Sequence, residues 1–478
     1  MRNKIILKIF VLFGLLLSSN LFSAGWADLL KQQAEKAFWD SMKQQIPENG
    51  KIPRCDLKNI IGCVELGNML FGQGKNQEAQ ANFGLACDNG HSASCFAAGR
   101  SAELTGQRDS AIAYYEKSCA SSFNLGCHNL GDLYHQNGFK DKAHGAFVLG
   151  CKFKYGGSCS NLGVYANEKN SKTEAIKYFQ EACDLGSAKG CFNLGSEYLL
   201  KKEFSSAETT FSKGCELGYI PSCNDLGVAQ EKAGKKNEAL ANYLKACEGK
   251  YGMGCANYGM LQKQNKNIEV ARTYFKKSCD ENDYAGCGDL GLLLSEEGKN
   301  EQARPLFEKA CTGGEAQACN NLGVVLDESK DSEGALSLYN KACEMKYALG
   351  CTNAGIVYAN LKNEVKAKEF NTKACDMGDI NGCYNLSLDL YFAGKIDEAK
   401  PHFEKSCKAL NNEACYNLGC YYSRKNNIKA ALNAIESALK LKYYEWQAFE
   451  TDEDLKNVRL SSEFKKLVSK YKTLSQKK

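Results

Sequence analysis

One arrangement of small, apolar and polar positions recurs every 32 residues along most of the chain. A clear copy has Leu194, Gly195, Tyr198, Ala207 and Phe211 at its small and apolar positions, with lysine, glutamate and serine among the residues between them. Steps of three and four residues place side chains on one face of a helix, and the polar stretch before Ala207 predicts a turn. Each copy is therefore expected to form a hairpin of two helices.

Three positions of the repeat are nearly constant when they are counted from the cysteine that opens each copy, such as Cys191. Glycine stands four residues later in eleven of twelve copies, alanine sixteen later in all twelve, and an aromatic residue twenty later in ten. Small residues let the two helices approach closely, and the ring is expected to fill the groove between hairpins. Ser387 replaces the glycine once, and Asn371 and Ile435 replace the ring, with Phe370 placed to compensate for Asn371.

The first residues lie outside this repeat. Arg2, Lys4 and Lys8 flank or precede an apolar run from Ile9 to Leu17, followed by small and polar residues. This pattern predicts a secretory signal peptide, cleaved near Ser23 or Ala24 and leaving no stable membrane anchor. Its removal would leave 58 basic against 56 acidic residues, a net charge of about +2 that gives no reason to expect a nucleic-acid partner.

Twenty-four of the 25 cysteines form regular pairs eight residues apart, and in an exported chain such cysteines predict disulfides. Paired metal ligands are the alternative, but zinc needs four close ligands and each junction offers two sulfurs without a repeating histidine. The pairs are Cys55 and Cys63, Cys87 and Cys95, Cys119 and Cys127, Cys151 and Cys159, Cys183 and Cys191, Cys215 and Cys223, Cys247 and Cys255, Cys279 and Cys287, Cys311 and Cys319, Cys343 and Cys351, Cys375 and Cys383, and Cys407 and Cys415.

The remaining cysteine, Cys420, stands where other copies have Val228, Leu292 or Ile356, so a buried unpaired thiol is expected there. The sequence predicts a signal peptide at residues 1–24, an N-terminal capping helix at 25–54, the repeat array at 55–439, and a C-terminal helical cap with a lysine-rich tail at 440–478. Leu455, Phe464 and Leu467 are the expected apolar anchors of the C-terminal cap.

The pattern from Cys191 through Gly195 and Tyr198 to Ala207 and Phe211 resembles the tetratricopeptide repeat, with cysteine where that family has tryptophan. Lys341-Ala342-Cys343 and Cys191-Phe192-Asn193-Leu194-Gly195 resemble the Sel1-like repeats of the Helicobacter cysteine-rich protein family. The resemblance implies an all-α fold, a right-handed α-solenoid of about twelve disulfide-stapled hairpins. It departs from that family in a shorter turn between the two helices.

Some members of that family are described as weak penicillin binders or β-lactamases, so an enzyme is the alternative to a binding scaffold. Of the serine β-lactamase motifs, only Ser-x-x-Lys occurs, at Ser462 to Lys465 and Ser475 to Lys478, and we attribute both matches to chance. His128, His135 and His144 could converge as metal ligands, although scattered surface histidines are the simpler interpretation. We therefore predict no catalytic residue, metal or cofactor.

Two positions are candidates for binding in a concave groove. Asparagine or aspartate stands two residues after the cysteine in ten copies, where it could hydrogen-bond an extended peptide or link successive first helices, and both roles are left open. The asparagines are Asn129, Asn161, Asn193, Asn257, Asn321, Asn353, Asn385 and Asn417, and the aspartates are Asp225 and Asp289. Rings one residue after the cysteine, Phe192, Tyr384 and Tyr416, could contact a partner or simply pack.

The sequence thus predicts an exported scaffold, periplasmic or secreted, that binds a protein or peptide in its groove. We expect it to be monomeric.

Overall fold

A computed structural model describes residues 55, 56 and 59 to 476 of the chain. The predicted signal peptide and N-terminal capping helix lie outside the described residues, so both stay predictions. The chain forms two compact units, one extending to Leu261 and the other beginning at Gln262. No helix of the described residues combines the length and the apolar character that crossing a bilayer requires.

Helices α1 to α12 form six hairpins in the first unit, and α13 contains the boundary between the units. Odd numbers mark the first helix of a hairpin and even numbers the second. Their bounds are α1 Ile60–Gly72, α2 Asn76–Asp88, α3 Ser92–Leu104, α4 Arg108–Ala120, α5 Asn124–Gln136, α6 Lys140–Lys152, α7 Gly156–Glu168, α8 Lys172–Asp184, α9 Ala188–Leu200, α10 Phe204–Glu216, α11 Ile220–Lys232, α12 Lys236–Glu248 and α13 Gly252–Gln264.

The second unit continues with α14, then five hairpins formed by α15 to α24, and ends in three shorter elements and a last helix. Their bounds are α14 Ile268–Asp280, α15 Tyr284–Glu296, α16 Asn300–Thr312, α17 Ala316–Glu328, α18 Ser332–Glu344, α19 Ala348–Asn360, α20 Glu364–Asp376, α21 Ile380–Phe392, α22 Ile396–Lys408, α23 Asn412–Arg424, α24 Ile428–Lys440, α25 Trp446–Thr451, a 3-10 turn Glu453–Leu455, α26 Lys456–Arg459 and α27 Ser462–Gln476. The predicted all-α fold of disulfide-stapled hairpins is confirmed.

The helices from α1 to α24 each span 13 residues and are separated by three-residue connectors, so each repeat consists of two halves of equal length. The middle residue of every connector has a positive φ, as in Gly74 (75°) and Lys330 (68°). The N–H of Gly74 donates to the carbonyl of Phe71 and that of Lys75 to the carbonyl of Leu70. This left-handed ending satisfies the last carbonyls of the helix and reverses the chain.

The constant glycine is explained by a ring of its own hairpin. A Cβ atom added to Gly195 would lie 2.7 Å from Cδ1 of Phe211, so any larger side chain would displace the ring. Phe211 also packs in one cluster with Leu226 and Ala229 of the following hairpin. Where Asn371 replaces the ring, it is buried and donates to Asp389 (2.8 Å), while the neighbouring Phe370 packs against Tyr358.

The structure joins all twelve predicted cysteine pairs as disulfides. Apart from the first pair, each bridge joins the last turn of an even helix to the first turn of the next odd helix, as at Cys183 and Cys191. Lysines two residues before the first cysteine add a second link between repeats. Nζ of Lys309 donates to the Cys279 carbonyl (3.0 Å) and that of Lys341 to the Cys311 carbonyl (3.2 Å), at helix C-termini that favour positive charge.

The twelfth hairpin has no staple after it, and the last elements cover its core. Leu439 stands where the next cysteine would be and packs with Phe449, Leu455, Val458 and Phe464, all of which are buried. These residues replace the packing that a further hairpin would supply.

The unpaired Cys420 is 1% exposed in the same cluster, which confirms the expected buried thiol. Burial, followed by the charges of Asp452 and Asp454, raises the pKa of this thiol well above its ordinary value.

Candidate binding site on the first helices

Four of the predicted asparagines make the same contact. Each donates its side-chain amide to the side chain 33 residues earlier, on the preceding odd helix. The bonds run from Asn193 to Ser160 (3.3 Å), Asn257 to Asn224 (2.8 Å), Asn353 to Asn320 (2.8 Å) and Asn417 to Tyr384 (3.1 Å). Of the two roles left open by the sequence, these contacts favour the link between successive first helices.

The other predicted asparagines are also at least partly buried. Asn129 is 2% exposed and donates to the Tyr115 hydroxyl, and Asn161 donates to Asp132 (3.3 Å). Asn321 accepts a bond from Asn320, and Asn385 is half-buried in α21. The described residues therefore do not form a continuous row of free side-chain amides along the repeats.

The two aspartates at this position are buried or partly buried acids. Burial raises the pKa of Asp225 to about 6, although Asn224 donates to its carboxylate (2.9 Å). Burial also raises the pKa of Asp289 to about 7, and Asp283 and Glu315 act in the same direction. Both groups therefore titrate closer to neutral pH than ordinary aspartates do.

The rings one residue after the cysteine are covered by a residue that lies 27 positions further along the chain. For Phe96, His128 and Phe192, that residue is the last of the connector before the next odd helix. Ring centroids lie 5.6 Å apart for Phe96 and Phe123, 4.7 Å for His128 and Tyr155, 5.1 Å for Phe192 and Tyr219, and 4.5 Å for Tyr416 and Tyr443. Phe192 and Tyr416 are consequently packing residues, and Tyr416 is only 5% exposed.

Tyr384 is the exception, because the residue 27 positions later is Asn411 and not a ring. Asn411 instead uses its side chain to cap α23, where it accepts from the Ala414 N–H (2.7 Å). The ring of Tyr384 borders a cleft of about 400 Å³ in the second unit. Its lining consists of Tyr384, Asn412, Glu413, Tyr416, Asn417, Lys442, Tyr443, Tyr444 and Glu445.

The cleft combines aromatic walls with charged groups at its edge. Tyr443 stacks on Tyr416, and Tyr444 stacks on Trp446 at 5.2 Å, so both rings are held in place. Tyr384 bonds to Glu413 as well as to Asn417, and burial followed by the charge of Glu413 raises its pKa. Glu413, Lys442 and Glu445 are exposed. Three of the predicted site residues, Tyr384, Tyr416 and Asn417, thus meet here.

The three histidines do not form the metal site considered from the sequence. His128 contacts Ser158 (3.2 Å) and Asp132 (3.5 Å), whereas His135 bonds to the Tyr165 hydroxyl (2.7 Å). Among the described residues, one group has metal-ligand spacing, formed by Cys151, Cys159 and Glu181, and its two sulfurs are already joined to each other.

The Ser-x-x-Lys match at Ser462 lies on the exposed side of α27. Ser462 donates to Glu463 (3.2 Å), and both Ser462 and Lys465 face solvent. Within the described part of the chain, the Ser462 hydroxyl is thus bonded to an exposed carboxylate and not to Lys465, the lysine of the motif.

The family model described as Tetratricopeptide repeat matches residues 92–124, 316–349 and 413–444, and the one described as Sel1 repeat matches 151–187, 248–283 and 355–379. The chain is similar to a solved protective antigen of uropathogenic Escherichia coli strains with an SLR fold, at 18% identity and a TM-score of 0.49 over 82% of this chain and 94% of that one. It is also similar to a solved Sel1 repeat protein from Oxalobacter formigenes, at 19% identity and a TM-score of 0.40 over 47% of this chain and 100% of that one. A third similar structure is that of yeast Tom70, at 14% identity and a TM-score of 0.39 over 83% of this chain and 98% of that one. The comparison with curated proteins found no match.

Proposed function

We propose that this chain, a Sel1-like and tetratricopeptide-like repeat protein whose paired cysteines match those of a cysteine-rich Sel1 family, is an exported scaffold that binds a protein or peptide partner. Repeat scaffolds of these two kinds are generally protein-interaction modules. The finer part of the proposal is the location of the contact, which we assign to the first-helix face of the second unit around Tyr384.

The cleft beside Tyr384 carries this proposal. Phe192 and most of the predicted amides take part in packing within and between repeats, whereas here four tyrosines, two asparagines and three charged residues line one cleft. Tyrosine supplies a large contact area at a low cost in conformational entropy and is enriched at protein interfaces. The volume of about 400 Å³ lies in the range of pockets that hold a small ligand or a side chain.

Export is supported by the chemistry of the cysteines. Twelve disulfides favour an oxidising compartment, since cytosolic thiols are kept reduced. The signal-peptide pattern of residues 1–24 points to the same destination, either the periplasm or the medium.

Site-specific photo-crosslinking tests the assigned location. The photoreactive amino acid p-benzoylphenylalanine would replace Glu445, which is exposed at the cleft, or Glu301, which is exposed on α16 outside it. We expect a discrete partner adduct in the native envelope from position 445 but not from 301. The adduct should decrease at least about tenfold with Tyr444→Ala and stay unchanged with Tyr284→Ala. An adduct that is unaffected by Tyr444→Ala would overturn the proposal.

The β-lactam alternative comes from the family resemblance, and no contact in the described residues supports it. Nitrocefin hydrolysis by the purified, oxidised protein tests it directly. Turnover that disappears in Ser462→Ala would establish the alternative in place of a binding function, and we expect no turnover that depends on this residue.

A further inference from the structure

We propose that the cleft around Tyr384 receives a cationic side chain of the partner, an arginine guanidinium or a lysine ammonium, between Glu413 and Glu445. This inference rests on the proposed function, because it names the chemistry that the same site would select.

The lining of the cleft contains more acidic than basic residues. Glu413 and Glu445 contribute two carboxylates, and Lys442 is the one basic residue of the lining. Within the described part of the chain, neither glutamate forms an ion pair with a lysine or arginine. A cationic group could therefore bind these carboxylates without first breaking an ion pair, and Glu413 has a second oxygen besides the one that accepts from the Tyr384 hydroxyl.

A further carboxylate lies behind the aromatic wall. The hydroxyl of Tyr416 donates to Asp452 (2.7 Å), which belongs to the segment after α25. Burial raises the pKa of Tyr443 to about 12, and the negative groups around it, which include Glu445, Glu413 and Asp452, act in the same direction. These carboxylates place negative charge near the ring, which favours a positive group in front of it.

The rings themselves suit the same ligand. Tyr443 and Tyr444 are each fixed by stacking, on Tyr416 and on Trp446. A cation near the face of a tyrosine is attracted by the ring quadrupole, and a planar guanidinium can stack on that face while it bonds to a carboxylate. An anionic ligand would instead face two carboxylates with Lys442 as its single counter-charge, which is an unfavourable juxtaposition.

Three fluorescein-labelled nonapeptides test the inference by fluorescence polarisation. They share a glycine and serine frame and differ at the central residue, which is arginine, its neutral isostere citrulline, or glutamate. We expect the oxidised wild-type protein to bind the arginine peptide at least about tenfold more tightly than the citrulline peptide. Glu413→Gln combined with Glu445→Gln should remove that preference, and Lys442→Gln should keep or increase it.

These substitutions preserve side-chain size, and the amide oxygen introduced by Glu413→Gln would still offer Tyr384 an acceptor, so the helical circular dichroism should not change. Equal binding of arginine and citrulline peptides, or no binding of either, would overturn the inference. Tightest binding of the glutamate peptide, weakened by Lys442→Gln, would overturn it in favour of an anion site.

The same variants separate this inference from the proposed function. In the protein that carries p-benzoylphenylalanine in place of Glu445, Glu413→Gln removes the second carboxylate of the cleft. If the adduct from position 445 decreases with Tyr444→Ala but not with Glu413→Gln, the scaffold function stands and the cationic ligand is wrong. If neither variant changes the adduct, the proposed function itself fails.

Discussion

Phe192 in the first unit and Tyr384 in the second occupy the same position of the repeat and are both half-buried, yet Phe192 is covered by a second ring and Tyr384 borders a cleft. The difference lies 27 residues further on. Tyr219 covers Phe192 at a centroid distance of 5.1 Å, whereas Asn411 offers Tyr384 no ring. One connector residue thus decides whether a second ring covers the first-helix ring. In a repeat protein, a candidate site is therefore best sought where the regular packing is interrupted.

The largest effect on stability is expected from removing the ring that covers Phe192 between two hairpins. Tyr219 is 1% exposed, so Tyr219→Ala removes a fully packed ring from between two hairpins. We expect the free energy of unfolding to fall by about 3–5 kcal/mol, as for other large aromatic-to-alanine changes in cores. Urea unfolding followed by circular dichroism measures it.

Phe392→Ala is the control for Tyr219→Ala, since this ring is 80% exposed and its loss should change stability by less than about 0.5 kcal/mol. Similar losses in the two variants would show that the ring over Phe192 is not a determinant of the junction.

The second effect concerns the covalent staple of the same junction, because Tyr219 lies within the loop closed by Cys215 and Cys223. Replacing both cysteines by alanine should lower the free energy of unfolding by roughly 2.5 kcal/mol, the chain-entropy value for so short a loop. Cys420→Ala also removes a buried sulfur but breaks no bridge, and its smaller cost isolates the contribution of the crosslink. Equal losses would assign the effect to packing.

Most of the fold could be predicted from the sequence, because the period and the paired cysteines are local signals repeated twelve times, and the glycine recurs in eleven of the twelve copies. The equal connectors were not predicted, since Lys330 and Leu410 adopt the same left-handed backbone as Gly74 without a glycine to mark it. Their conformation is imposed by the packing of the helices on either side.

The site was only partly predictable. The position of Tyr384 was recognised, but not that Asn411 leaves it without a covering ring. The signal that would have revealed this is the aromatic residue that recurs 27 positions after the other rings. Lys442, Tyr443, Tyr444 and Glu445 were assigned to the cap alone, because the repeat pattern ends before them. Their part in the cleft follows from the chain turning back over α23, which no periodic pattern encodes.

A third effect on stability is expected from the buried Asp225, and it should depend on pH. The folded-state pKa of Asp225 is raised to about 6, so its folded form holds the proton more tightly than the unfolded chain does. This group therefore favours folding at pH 4, and that contribution is lost as the pH rises through 6. Asp225→Asn should raise the free energy of unfolding at pH 8 by about 2 kcal/mol and change it little at pH 4.

Thermal unfolding across that pH range provides the measurement for Asp225→Asn, with Asp280→Asn as the control because Asp280 is exposed. A gain that is the same at pH 4 and pH 8 would contradict the assignment to this carboxyl group.

The smallest effect on stability is expected from adding a ring over Tyr384. This change is also the most direct test of the comparison between Phe192 and Tyr384. Asn411→Tyr places a ring where Tyr219 stands in the first unit, and we expect it to cover Tyr384 and fill the cleft. The variant loses the cap that Asn411 provides to the Ala414 N–H, at a cost of about 1 kcal/mol. Asn411→Ala loses the same cap but leaves the cleft open, so it is the matched control.

Binding of the arginine peptide should weaken at least about tenfold in Asn411→Tyr and persist in Asn411→Ala. If both variants bind equally well, the residue 27 positions after the ring does not control access to it. The difference between Phe192 and Tyr384 would then have another cause.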